Sequence, residues 1–153
     1  MKNRLLYLIT LILLIFLMLP LSLLAQEESF EIVVLPDTQT YVEEYPEIYL
    51  KQMQWLADNR DRFSFVMHVG DITQNNNEAE WEIAKKGFKL LDGKLPYSFA
   101  LGNHDMGSET GKFADTRNTA MANKFFSPAE MQNLVTSFPQ GTVNSCKRLS
   151  TVP

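Results

Sequence analysis

Three short runs rich in β-branched and aromatic residues, 30–35, 63–69 and 97–101, are closed by Pro36, Gly70 and Gly102, and stretches with helical spacing separate them. Runs of this length and content, stopped by Gly or Pro, predict buried strands. Between the first two, Tyr49, Met53 and Leu56 recur on one helical face over 46–59, with Pro46 near the start. Between the second and third, Trp81, Ala84, Phe88 and Leu91 share a face over 78–91, Asn75, Asn76 and Asn77 offer a cap, and Gly93 offers a stop. The order β-α-β-α-β predicts an α/β fold with a mostly parallel sheet and helices packed on it.

Lys2 and Arg4 precede an apolar run from Leu5 to Ala25, after which the chain turns polar at Gln26-Glu27-Glu28. This is the pattern of a secretory signal peptide cleaved after Ala25. A run of about 20 apolar residues also suffices for an uncut membrane anchor. Both readings place the remainder outside the cytoplasm, exported or tethered by its N-terminal helix, with the basic end inside. Residues 26–153 suffice for one domain with a single core and not for two.

The net charge of −4 is spread along the chain without a basic stripe, which argues against a nucleic-acid partner. Oligomeric state is not legible. Cys146 is the only cysteine, so neither an intrachain disulfide framework nor a cysteine-based metal site is available. Any metal must be held by carboxylate, amide or imidazole groups.

Polar clusters follow each expected strand: Asp37-Thr38-Gln39, Gly70-Asp71 and Gly102-Asn103-His104-Asp105. In an open α/β sheet the carboxyl ends of neighbouring strands border one crevice, so residues far apart in sequence can meet there. Carboxylates and amides can hold a pair of divalent ions about 3.5–4 Å apart, which together neutralise phosphoryl charge and make hydroxide available near neutral pH. A nearby imidazole can protonate a leaving alkoxide.

In this order and spacing the clusters resemble the first three signature blocks of the calcineurin-like metallophosphoesterases, D-x-H, G-D and G-N-H-D/E, with Gly102 to Asp105 the most specific of them. The resemblance implies the N-terminal portion of a calcineurin-like α/β sandwich, acting on a phosphoester substrate with two divalent ions drawn from Mn²⁺, Fe²⁺/Fe³⁺, Zn²⁺ or Mg²⁺. It further implies that Asp37 binds the first ion, Asp71 bridges both, and Asn103 binds the second. His104 would contact the phosphate as general acid, and Asp105 would orient its imidazole. Gln39 stands where many members carry a metal-binding His; its amide oxygen suits hard ions better than soft ones.

The later G-H and G-H-x-H blocks of that family have no counterpart, since His68 and His104 are the only histidines. We therefore expect a truncated metallophosphoesterase domain over 26–140 and a disordered or frame-shifted tail over 141–153. The alternative function is an inactive exported fragment with weak metal binding. A haloacid-dehalogenase reading is rejected, because Asp37-Thr38-Gln39-Thr40 lacks the second Asp of D-x-D.

Other residues carry plainer expectations. His68, inside an apolar strand, reads as packed or hydrogen-bonded rather than ligating. Trp81, Trp55 and the phenylalanines read as packing residues. Tyr41 could border the crevice, and Asn75 could support it from behind. Residues 106–118 read as a loop, and Ser127-Pro128-Ala129-Glu130 as the capped start of a short helix through about Ser137.

Overall fold

The computed structural model describes residues 30–137, together with Arg4, Tyr7, Ile9 and Thr10, which are helical. The rest of the segment expected to direct export, and the expected tail over 141–153, lie outside the described residues. Among the described residues no helix is long and apolar enough to cross a membrane.

Strands β1 (Ile32–Leu35), β2 (Phe65–His68) and β3 (Tyr97–Phe99) form a three-stranded sheet in the order β1-β2-β3. Both pairs are parallel, with Leu35 opposite His68 and His68 opposite Phe99. The strands therefore end level with one another, and the clusters that follow them emerge along one edge. Between β1 and β2 run helices α1 (Gln39–Glu44) and α2 (Pro46–Asp58) and a 3-10 turn (Arg60–Arg62); between β2 and β3 runs α3 (Glu78–Lys89). After β3 come a 3-10 turn (Asn103–Asp105), then α4 (Ala120–Phe125) and α5 (Pro128–Ser137).

Period-two alternation sorts the strand residues. Leu35, Val66, His68 and Tyr97 are buried, and the core they join includes Tyr49, Met53 and Leu56 of α2, Trp81, Ala84 and Phe88 of α3, and Leu91 just beyond it. Ile32, Val34, Met67 and Val69 point to the other face and are about half exposed. Helices α2 and α3 pack side by side, and Gly87 makes this possible: a Cβ there would stand 2.4 Å from the Tyr49 ring. The Tyr49 hydroxyl donates to Ala84 O at 3.1 Å.

The expected caps take definite form. Asn77 caps α3 by accepting from Glu80 N at 3.0 Å, and the buried Glu80 carboxylate accepts from Asn77 and from Asn75 N. Ser127 Oγ accepts from Glu130 N at the start of α5. Trp81 is fully buried with its indole N–H on Asn76, whereas Trp55 is half exposed against Phe63. Helices α1 and α4 were not foreseen. Each is six residues long and buries one residue, Val42 or Ala122, too little for periodicity to register.

Candidate functional site

The loop after β1 begins with Asp37 at φ 30°, and the loop after β2 carries Asp71 at φ 50°. Both are non-glycine residues in the left-handed region, which Asp tolerates better than most and which tertiary contacts must hold in place. Gly70, at φ 114°, lies so close to the third loop that a Cβ would come 2.8 Å from Gly102 N. At Gly102 a Cβ would stand 2.1 Å from Asp71 Oδ1. The two glycines thus bring the second and third loops into backbone contact and leave room for the Asp71 carboxylate.

Hydrogen bonds join all three loops. Gln39 N donates to Asp71 O at 3.0 Å. His68 joins the first and second: its Nδ1 accepts from Gly70 N at 3.2 Å, so the ring proton resides on Nε2 and is donated to Thr38 Oγ1 at 2.9 Å. Thr38 passes the chain on to Ile72 O at 3.2 Å. Burial lowers the His68 pKa to about 4, against the opposing pull of the Asp37 and Asp71 charges, which keeps the imidazole neutral as this bonding requires. His68 is therefore a hydrogen-bonded core residue, as its place in the strand suggested.

Asp105 joins the second and third loops. Fully buried, its carboxylate accepts from Ile72 N at 3.0 Å, Thr73 N at 2.8 Å, Thr73 Oγ1 at 3.0 Å and Gly102 N at 2.9 Å. Burial pushes this carboxyl above the usual range, and the four donors pull it back. This corrects the expectation that Asp105 orients the His104 imidazole. That task falls to Gln74, whose carbonyl meets His104 Nδ1 at 2.7 Å. Asp105 thus anchors the two loops to each other.

Asp37, Gln39, Asp71, Asn103 and His104 all lie on or next to these joined loops. The His104 backbone N–H donates to Asp71 Oδ1 at 2.9 Å, so Asp71 sits at the centre of the arrangement. Asp37 and Asn103 are exposed, and Gln39 is half-buried. Among the described residues no three His, Cys, Asp or Glu side chains form a group that could hold a metal ion. The donors available are two carboxylates and two amides, all oxygen, a set that suits hard divalent ions. One observation fits a cation in particular: Gln39 Oε1 is buried and has no hydrogen-bond partner. A buried acceptor left unpaired costs about 1–3 kcal/mol, which coordination would offset.

A family profile described as calcineurin-like phosphoesterase matches residues 30–149. The chain belongs to the calcineurin-like phosphoesterase family. The α/β architecture and parallel sheet are consistent with that fold, and the family as a whole hydrolyses phosphoesters with divalent metals. As a calcineurin-like phosphoesterase the chain is similar to the uncharacterized protein YvnB of Bacillus subtilis (strain 168), with 34% identity over 91 residues. That alignment covers 57% of this chain and 7% of YvnB, so the chain spans a small part of its relative's length. No solved structure matches the chain.

Several residues around the site were not singled out from sequence. Thr38 and Thr73 each follow a cluster aspartate closely, and that adjacency is the only signal they give. Gln74 acts through its backbone, which no side-chain pattern reveals. Phe113, 4.1 Å from His104 between ring centroids, comes from a loop without periodicity. The Asn75 side chain ties α1 to α3, donating to Glu43 at 2.7 Å and Glu80 at 2.8 Å, and Tyr41 is exposed.

Proposed function

We propose that this chain carries part of a two-metal phosphoesterase centre in which Asp37, Gln39, Asp71 and Asn103 hold the ions and His104 is the proton donor. The buried, unpartnered Gln39 Oε1 is the observation that carries this reading. Bound divalent ions would supply charge neutralisation for the phosphoryl oxygens and activation of water. Asp71 uses one of its roughly four acceptor sites on His104 N–H and keeps the others for ligation. His104 is held through Nδ1, which leaves Nε2, without a protein partner among the described residues, to exchange a proton with the ester oxygen. Hard ions such as Mn²⁺ or Mg²⁺ match the oxygen donors best.

A second reading, weak metal binding without turnover, is favoured by the sparse donor set among the described residues. Calorimetric titration with Mn²⁺, alongside hydrolysis of p-nitrophenyl phosphate and its bis ester, separates the two. Binding of two ions with hydrolysis, both reduced in Asp71→Asn, supports the catalytic reading. Binding without turnover supports the second, and absence of Mn²⁺ binding refutes both. We also propose export, from the basic, apolar and small-residue pattern of 1–25.

A further inference from the structure

The His104 imidazole is fixed by two groups, the Gln74 carbonyl on its Nδ1 edge and the Phe113 ring on its face, and the second belongs to a loop that the proposed chemistry does not use. Ring centroids lie 4.1 Å apart with 38° between planes, closer than the ~4.5–7 Å of ordinary aromatic pairs. Phe113 is nonetheless 46% exposed, so the hydrophobic core does not hold it there.

Loop 106–118 holds it. Ala114 N, next to Phe113, donates to Met106 O at 2.9 Å, and Gly107 N donates to Asn118 O at 3.2 Å, closing the loop on itself. Ser108 is bound by the Asp115 carboxylate through both its N–H and its hydroxyl. Gly111 N donates to Asn75 O at 2.9 Å, anchoring the tip beside the segment that supplies Gln74. At Gly107 the backbone has φ 154°, and a Cβ would stand 1.8 Å from Lys112 O, so only glycine lets the loop fold this tightly behind Phe113.

We propose that Phe113 is a positioning residue for His104, and that loop 106–118 exists to press it against the imidazole. This rests on the phosphoesterase reading above. In the step concerned, the oxygen of water forms a bond to phosphorus and releases a proton to solvent. The bond from phosphorus to the ester oxygen breaks with its electron pair on that oxygen, which takes the Nε2 proton of the doubly protonated His104 and leaves a neutral ring with its proton on Nδ1; solvent then reprotonates Nε2. Fixing Nδ1 on Gln74 and the ring plane on Phe113 directs Nε2 at one place, where a displacement of about 1 Å would cost on the order of 100-fold.

The chain has two histidines, which makes the test direct. In the metal-free full chain, ¹⁵N imidazole spectra at a pH where both rings are neutral should show opposite tautomers. His68 should carry its proton on Nε2 and His104 on Nδ1. Phe113→Ala should mix the His104 tautomers and remove the ring-current shift of its carbon-bound protons, with His68 unchanged; Phe113→Tyr should preserve both. Gly107→Ala, which touches neither ring, should reproduce the Phe113→Ala spectrum. With Mn²⁺ added, Phe113→Ala should lower kcat for an alkyl phosphate ester about 10- to 100-fold, with KM little changed. The loss should be smaller for p-nitrophenyl phosphate, whose leaving group needs little protonation. An unchanged His104 tautomer in Phe113→Ala, or a raised KM with intact kcat, overturns the proposal. If the wild-type chain hydrolyses neither ester, the phosphoesterase reading fails, and the tautomer spectra still decide whether Phe113 positions the ring.

Discussion

Acidification should loosen the junction beneath the site before it affects the rest of the core, through His68. Its pKa is about 4 in the folded chain and 6.5 ordinarily, so the unfolded chain takes up the extra proton first as pH falls. The contribution is complete above 6.5, is lost progressively below it, and is fully lost below 4. At about 1.4 kcal/mol per pKa unit the whole effect is on the order of 3 kcal/mol, with about 2 kcal/mol of it gone by pH 5. The sign follows from the bonding: Nδ1 accepts from Gly70 N, and an imidazolium has no acceptor to offer. Urea unfolding of wild type and His68→Gln at pH 7.5 and 5 isolates this contribution from the carboxylates. Wild type should lose about 2 kcal/mol more than the variant over that interval. Equal losses, or a His68 resonance that titrates near 6.5, would refute the reasoning. Divalent ions should deepen the shift, because they neutralise the Asp37 and Asp71 charges that now oppose it.

Three further outcomes follow from the packing. Gly102→Ala should displace Asp71 Oδ1, which would lie 2.1 Å from the new carbon, and weaken Mn²⁺ binding at least about tenfold by calorimetry. Asp105→Asn places an NH₂ among four donors and should cost about 1–3 kcal/mol in urea unfolding, since at least one of them loses its acceptor. Gly87→Ala gains about 1 kcal/mol of helix propensity and costs about 1–3 kcal/mol of overpacking against Tyr49, so the urea midpoint should fall. A rise would mean that α2 and α3 can move apart freely.

Residue order alone determined the β-α-β-α-β sequence of elements, because strand runs and amphipathic helices are local patterns that survive without tertiary information. It also determined which clusters close the strands, since a parallel sheet brings successive carboxyl ends to one edge and Asp37, Asp71 and Asn103 each follow a run. The tertiary structure decided how those clusters are joined. Asp105 reads as a partner of its neighbour His104, yet its carboxylate turns inward to the backbone of 72–73 and 102, because buried N–H groups there have to be satisfied. Gln74 and Phe113 hold the imidazole through a carbonyl and a ring face, contacts that depend on how two distant loops fold and leave no periodic trace. The unpaired Gln39 oxygen likewise emerged only in three dimensions, for burial and the absence of a partner belong to a place in the fold and not to an amino-acid type.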